Sequence, residues 1–223
     1  DYSITTDAKG NAYLYGLFDE GATIVVDNKG SVTERTLASG TVAGKSYAIA
    51  SDKYYLSLPT GSIFNEAIKE YLGSCTAIKF VAHSSTTSEN VLYTDALGTK
   101  VYAVINGNTL EIHAACDLFK ADANSAKMFS RLLDVTTIDF NDCFDTSDVT
   151  NMQQMFAMSN SLTSLDLSCF NTSKVTDMRG MFRICANLAT LDLSSFDTSK
   201  VTDMIEMFYS CLALTSLDLS SFD

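Results

Sequence analysis

Apolar positions in the last third of the chain recur every 26 residues. Phe144, Phe170, Phe196 and Phe222 are evenly spaced, as are Val149, Val175 and Val201, and Met155, Met181 and Met207. The two clearest copies read FNTSKVTDMRGMFRICANLATLDLSS and FDTSKVTDMIEMFYSCLALTSLDLSS. A fixed period of this size predicts a solenoid, in which each unit buries its apolar face against its neighbours. Each unit also carries Leu-x-x-Leu-x-Leu, at Leu162/Leu165/Leu167, Leu188/Leu191/Leu193 and Leu214/Leu217/Leu219. The last two leucines of each set flank an aspartate, which predicts a strand with leucines inward and aspartate outward. In the other half of the unit, Val175, Met178, Met181 and Phe182 fall at i, i+3, i+6 and i+7. That rhythm predicts a short helix or 3₁₀ turn with one buried face, N-capped by Thr176 or Asp177. The repeat phase begins imperfectly at Met128-Phe129, with one extra residue before Phe144.

Upstream the pattern changes. Residues 1–57 hold short apolar runs (Ala12–Phe18, Ala22–Val26, Ser31–Leu37, Ser46–Ala50, Tyr54–Leu58) separated by Asp7-Ala8-Lys9-Gly10, Asp27-Asn28-Lys29-Gly30 and isolated glycines. Turn signals at such close spacing predict antiparallel hairpins. The two Asp-x-Lys-Gly stretches lack the further oxygen ligands of a calcium loop and read as turns. Pro59 and Gly61 mark a boundary. Beyond them Ser62 is placed to cap a helix over Ile63–Leu72, with Ile63, Ala67, Tyr71 and Phe64, Ile68, Leu72 on its apolar side and Gly73 as its stop. Cys75 to Phe80 reads as a short strand. Helix, cysteine and strand together look like a degenerate repeat suited to cap the open end of the stack. Residues 84–98 read as loop. Val101–Ile105 and Thr109–His113 flank Asn106-Gly107-Asn108, a hairpin signal because Asn-Gly supplies the positive φ of a tight turn. The division expected is a β-rich domain over 1–57, a capping region over 58–127, and repeats over 128–223. The first residue is Asp1 and the repeat breaks off at Asp223, so the expectation is a fragment of a longer protein.

Composition narrows the function. The 223 residues are 46% apolar, enough to bury a substantial core. No apolar run approaches the length of a membrane-spanning helix. The net charge of −12 is spread over both halves, which argues against nucleic acid and against anionic lipid surfaces. The six cysteines contain no C-x-x-C, so zinc-type spacing is absent. Cys185 and Cys211 share one repeat phase. Side chains stacked in parallel point the same way, so both are expected as buried free thiols that pack as small apolar residues. The only histidines, His83 and His113, lie in unrelated segments with no Gly-x-Ser-x-Gly nearby, and no phosphate-binding glycine loop appears. No catalytic residue, metal or cofactor is called. The repeated methionines (Met152, Met178, Met204 and Met155, Met181, Met207) share the helical phase of Val and Phe, and are read as core rather than as a soft-metal groove.

The pattern F-(D/N)-T-S-(K/D)-V-T-(D/N)-M-x-x-M-F-x-x-C-x-x-L-x-x-L-D-L-S resembles the BspA-like leucine-rich-repeat proteins of bacterial surfaces. The resemblance is specific over 128–223, weaker over 58–127 and absent over 1–57. The first clear unit departs from it, with Ser159 in place of Cys185 and Cys211. The resemblance implies an exposed protein, extracellular or on the bacterial cell surface, that binds a protein or glycan of a host or neighbouring cell.

The fold class expected is therefore α+β: an antiparallel β-rich domain, then a leucine-rich-repeat arc with a parallel sheet and short helical turns. Stacked strands would place Asp139, Asp166, Asp192 and Asp218 in one exposed column, with Ser168, Ser194 and Ser220 beside it. Each neighbouring Asp pair repels by about 1 kcal/mol in water-like dielectric. Two readings of the column stand: a face for cations, basic peptides or sugars, or a screened edge that keeps the protein soluble. The function expected is non-enzymatic binding through this face, the β domain, or both. The alternatives are a structural stalk that presents another binding domain, and a fragment of a carbohydrate-active enzyme, since carboxylates are abundant.

Overall fold

The computed structural model describes residues 55–95 and 98–222 and, before them, the backbone of five strands (3–6, 12–15, 23–28, 31–42 and 45–49). The chain divides into two compact units, Asp1–Lys53 and Tyr54–Asp223. Among the described residues the fold is α+β, mostly sheet with one helix. In the first unit β1 (Ser3–Thr6) pairs antiparallel with β2 (Ala12–Tyr15), and β4 (Ser31–Val42) pairs antiparallel with both β3 (Thr23–Asn28) and β5 (Lys45–Ile49). These are the hairpins that the turn spacing predicts. The Asp7–Gly10 turn and the Lys29-Gly30 end of the second turn lie outside the described residues.

The second unit opens with β6 (Tyr55–Ser57), from the apolar run assigned above to the β-rich segment. Its partner is β11 (Leu118–Lys120), and β11 in turn pairs with β13 (Phe144–Asp145), all in parallel. Helix α1 (Gly61–Leu72) follows. It starts earlier than predicted: Thr60 is the N-cap residue, without a side-chain hydrogen bond, and Ser62 lies inside the first turn. Ile63 is exposed, while Gly61, Phe64, Asn65 and Ile68 face inward. The apolar side is rotated because the helix lies against residues 125–130. A Cβ on Gly61 would stand 2.5 Å from the Ala126 carbonyl oxygen, so only glycine permits the approach. Gly61 N–H donates to Asn124 O (2.8 Å), and the buried Asn65 amide donates to Met128 O (3.2 Å) and Ser130 O (3.0 Å).

A five-stranded sheet lies beyond the helix. It consists of β7 (Ala77–Val81), β8 (Val91–Thr94), β9 (Lys100–Asn106), β10 (Thr109–His113) and β12 (Thr137–Asp139), in the order β12-β7-β10-β9-β8. The β9–β10 hairpin turns at Gly107, φ +60, as the Asn-Gly signal predicts. Strand β8 falls in the segment predicted as loop. Its short run Val91-Leu92-Tyr93 buries Leu92 against the core and pairs with β9.

From Asn124 onward the repeat units stack in parallel register, through bridges Asn124↔Asn151↔Asp177↔Asp203 on one side and β14 (Ser164–Leu165) with β15 (Thr190–Leu191) on the other. The predicted burial holds: Val175, Met178, Met181 and Phe182 are fully buried, as are Leu162 and Leu188, while Asp166, Asp192 and Asp218 are exposed. Leu191 and Leu217 are only partly buried. The predicted helical turn is absent. Two residues per unit take left-handed φ near +60 instead, at Lys127/Arg131, Gln154/Met158, Gly180/Ile184 and Glu206/Ser210. This breaks the helix and splits the amides into two sets. One set closes i→i−3 turns, as Met155 N–H to Met152 O (3.1 Å) and Ala157 N–H to Gln154 O (3.1 Å). The alternate set reaches the next unit: Met152, Gln154, Phe156 and Met158 N–H donate to Asp177, Arg179, Met181 and Arg183 carbonyls at 2.7–2.9 Å. Left-handed backbone costs about 1–2 kcal/mol for each non-glycine residue, which the inter-unit hydrogen bonds and the burial behind them offset. Phe129, Phe156, Phe182 and Phe208 form a column of near-parallel rings, 5.5–5.8 Å apart.

Asn65 supplies two donors to carbonyls that have no preceding repeat unit to bond. Replacing Asn65 with Ala strands both in a buried site. The expected loss is about 3 kcal/mol of unfolding free energy, read from the urea midpoint. A loss within error of zero would show that water or backbone movement satisfies them.

Candidate functional site

The residues expected to bind a partner lie where the stacking rule places them. Asp139, Asp166, Asp192, Asp218, Ser168, Ser194 and Ser220 are all exposed. The local sequence accounts for their order. Within the Leu-Asp-Leu segments the aspartate Oδ1 accepts the backbone N–H two residues on, Ser168 (3.0 Å), Ser194 (2.9 Å) and Ser220 (2.8 Å), and in the preceding Ile138-Asp139-Phe140 segment Asp139 accepts from Asn141 (2.8 Å). These are Asx turns, which aspartate forms readily because its carboxylate mimics a backbone carbonyl.

Electrostatics follow from these bonds. Hydrogen bonds from the Ser168 hydroxyl and amide hold the Asp166 carboxyl below its usual value. The amide and hydroxyl of Ser194 do the same for Asp192, and those of Ser220 for Asp218. At Asp192 the like charges of Asp166 and Asp218 push the other way and are the weakest influences. Repulsion along the column is therefore outweighed by turn formation. One carboxylate oxygen of Asp166, Asp192 and Asp218 is committed to its turn, and the three residues remain exposed.

The column is interrupted at its first step. Asp139 and Asp166 are 27 residues apart, against 26 for the later pairs. The additional residue falls at Asn141-Asp142, both left-handed with φ +49 and +52. The lengthened turn opens a recess of about 360 Å³ lined by Asp139, Asn141, Asp142, Asp166, Ser168 and Cys169. At its edge Lys79 pairs with Asp139 (3.3 Å), because β7 and β12 place the two residues in register.

Several other ordered polar groups were not legible as sites. Asx turns recur at Asp145, Asn171 and Asp197, and again at Asn151, Asp177 and Asp203, so each unit carries three. The Asp/Asn-x-Ser spacing, present twice per unit, was the available signal. Behind one of these columns, buried threonines link the units. Thr172 Oγ1 donates to Asp197 O (2.9 Å) and accepts Asp197 N–H (2.8 Å), and Thr146 does the same with Asn171. Lys120 and Lys174 both bond Asp148 and bring its carboxyl down to about 2.

The cysteines differ in two respects from the expectation of buried thiols packed as small apolar residues: Cys211 is only partly buried, and the thiols are hydrogen-bonded. All six are free, and Cys185 and Cys211 donate thiol hydrogen bonds to Phe156 O and Phe182 O (3.1 Å each). Ser159 donates to the equivalent Phe129 O (2.8 Å), which explains the Ser-for-Cys departure of the first clear unit. Burial pushes the Cys185 thiol up to about 12, far from a reactive thiolate. The methionines are core: Met152, Met155, Met178 and Met181 are fully buried. Among the described residues no three His, Cys, Asp or Glu side chains converge as metal ligands.

The histidines are not simple strand residues. His83 pairs with Asp117 (3.3 Å). The buried His113 ring lies between Ser84 Oγ on Nδ1 (2.8 Å) and Glu111 Oε2 on Nε2 (2.8 Å), and Asn106 Nδ2 donates to the other Glu111 oxygen (3.0 Å). Bonds from Asn106 and His113 hold the Glu111 carboxyl low.

Residues 123–223 match the family described as "Mycoplasma protein of unknown function, DUF285". The similarity covers the stacked units and not the residues before them. No curated protein and no solved structure matched the chain. No helix among the described residues is long and apolar enough to cross a membrane.

The lowered carboxyl values carry a pH prediction. A group whose folded pKa is depressed contributes stability above its unfolded value and loses it as pH falls through the folded value. Stability should therefore fall between the ordinary aspartate value, about 3.9, and the value of about 2 at Asp148. Replacing Asp166, Asp192 and Asp218 together with Asn keeps the turn acceptor and should flatten this acid limb. Replacement with Ala removes the acceptor and should also lower stability at pH 7. Identical urea midpoints for the Asn and Ala variants at pH 7 would contradict the Asx assignment.

Proposed function

We propose that this chain is a surface or secreted binding module. In this reading the stacked units form a leucine-rich-repeat solenoid of the BspA-like kind, residues 54–127 cap its first end, and residues 1–53 are a separate β-rich domain. The reading is non-enzymatic, and the partner is a protein or glycan of a host or neighbouring cell outside the cell that makes this protein. The observation that carries it is the exposed column of Asp166, Asp192 and Asp218, each ordered by its own turn, beside the recess at Asn141-Asp142. Carboxylates already fixed in geometry lose little entropy on binding. These exposed carboxylates and the serine hydroxyls bonded to them suit sugar hydroxyls or Lys and Arg donors at a repeat of one strand spacing, about 4.8 Å. The match to the Mycoplasma family falls on the same residues as the resemblance to surface repeat proteins. The stalk alternative uses the same stack as a spacer and leaves recognition to the β-rich domain.

The full chain is screened against glycans and extracellular-matrix proteins, and any hit is retested with the Asp166/Asp192/Asp218→Asn variant. The expected result is about tenfold weaker binding, with affinity falling as salt rises. A variant that keeps full affinity moves recognition away from this face and favours the stalk.

One observation favours a second reading. Ser84, His113 and Glu111 stand in nucleophile–base–carboxylate order, with both hydrogen bonds at 2.8 Å. Ser84 Oγ also accepts Thr86 N–H, which ties it into its own turn. A hydrolase built on this trio should be labelled at Ser84 by a fluorophosphonate probe and lose the label in Ser84→Ala. An unlabelled chain leaves the trio as a clamp that fastens the 82–90 loop to β10.

A further inference from the structure

One column of Asx turns holds Asp145, Asn171 and Asp197 at the same position in successive units, each accepting the backbone N–H two residues on. At Asp197 the Ser199 hydroxyl adds a second bond to the same Oδ1 (2.6 Å), and at Asn171 the Ser173 hydroxyl does the same (2.7 Å). The turn has no need of asparagine, since aspartate builds the same geometry one unit later. What Asn171 adds is an amide nitrogen. Both donors of Ser173 fall on Oδ1, and among the described residues nothing bonds Nδ2. The backbone at this point is fixed, because Thr146 Oγ1 accepts Asn171 N–H (2.8 Å) and donates to Asn171 O (3.0 Å). Thr172 is buried, whereas Asn171 is exposed.

The sequence singles out the same residue. Among the asparagines of the chain only Asn171 has Ser or Thr two residues on, in Asn171-Thr172-Ser173. That spacing is the acceptor motif for attaching a sugar to asparagine, and the geometry gives it chemical content. An amide nitrogen is a poor nucleophile because its lone pair is delocalised into the carbonyl. Its reactive form has lost a proton and carries much of the charge on Oδ1. Hydrogen bonds to a charged form favour that form, and here the amide and the hydroxyl of Ser173 both donate to that oxygen. We infer that Asn171 is an acceptor for N-linked glycosylation, from a sugar activated as a glycosyl phosphate. In the transfer an Nδ2 proton passes to a base of the transferase and the nitrogen lone pair bonds the anomeric carbon. The bond from that carbon to the phosphate oxygen breaks, and the phosphate leaves with the electron pair. Nothing is oxidised or reduced. Asn124 and Asn151 also close Asx turns, but Ala126 and Gln153 stand two residues on and offer no hydroxyl. The acceptor belongs to the Asp145 and Asp197 column, not to that of Asp166, Asp192 and Asp218, so the inference is independent of what the aspartate face binds.

Mass spectrometry tests it. The full chain is purified from the cells that make it and digested, and the peptide holding Asn171 is sequenced by tandem fragmentation. The expected result is sugar on Asn171: a single sugar if the donor is nucleotide-linked, a preassembled block if it is lipid-linked. Three variants are made in the same cells. Asn171→Asp keeps the turn acceptor, as Asp197 does, and should lose the sugar while still unfolding cooperatively in urea. Ser173→Ala keeps the backbone bond and removes the hydroxyl. Occupancy at the intact Asn171 should then fall at least about tenfold, the effect of one lost hydrogen bond to a developing charge. Ser173→Thr should retain the sugar. A wholly unmodified peptide from the parent chain would overturn the proposal. So would sugar on Thr172 or Ser173 in place of Asn171, or full occupancy in Ser173→Ala.

Discussion

Alternate amides on the Met–Phe side of each unit have no partner within their own unit, and most of the stack follows from that constraint. They point along the stack axis, so a unit is satisfied only when a neighbour offers carbonyls in register. The left-handed residues that aim them are costly singly, and only Gly180 among the eight is a glycine. Their conformation persists because Met and Phe side chains are buried behind the same turns, and because Cys185, Cys211 and Ser159 bond the carbonyls of Phe156, Phe182 and Phe129. Packing and hydrogen bonding therefore depend on one another, which is the nearest-neighbour energetics of a repeat array.

The constraint also explains the region before the repeats. A stack with directional bonds cannot begin on its own, because its first carbonyls would lie buried and unpaired. Helix α1 is fitted to them: glycine at the contact, asparagine one turn further on, and Phe64 edge-on to Phe129. The β6–β11–β13 ladder sets the buried Leu56, Phe119 and Phe144 side by side in register. The candidate binding face is a by-product of the same economy of turns. Its aspartates stand outside because strand alternation puts them there, and they are rigid because each closes a turn. In the proposed reading, recognition at this face rests on order already present for structural reasons, and the one-residue insertion at Asn141-Asp142 makes one position along it distinct.

Much of this was legible in the sequence. The period located the units, the leucine alternation placed Asp166, Asp192 and Asp218 outward, and the Asn-Gly pair fixed the β9–β10 hairpin. The Val175–Phe182 segment shows where pattern reading stops. Its apolar rhythm gave the buried residues but not the backbone, because a helical turn and this left-handed turn bury the same positions. Ile63 was misplaced because several rotations of α1 satisfy its apolar pattern, and the choice was made by Gly61 and Asn65 through contacts more than 60 residues away. The Ser84–His113–Glu111 chain was invisible for a similar reason, since it joins a loop to a strand through tertiary placement.

The direction of the inter-unit bonds can be observed by NMR, as scalar couplings transmitted across hydrogen bonds in the isotope-labelled, deuterated chain. Couplings should connect the amide nitrogens of Met152, Gln154, Phe156 and Met158 to the carbonyl carbons of Asp177, Arg179, Met181 and Arg183. Couplings from these amides to carbonyls four residues earlier would restore a helix on this side of the unit. Such couplings would contradict the directional stack, with its need for a cap before its first unit.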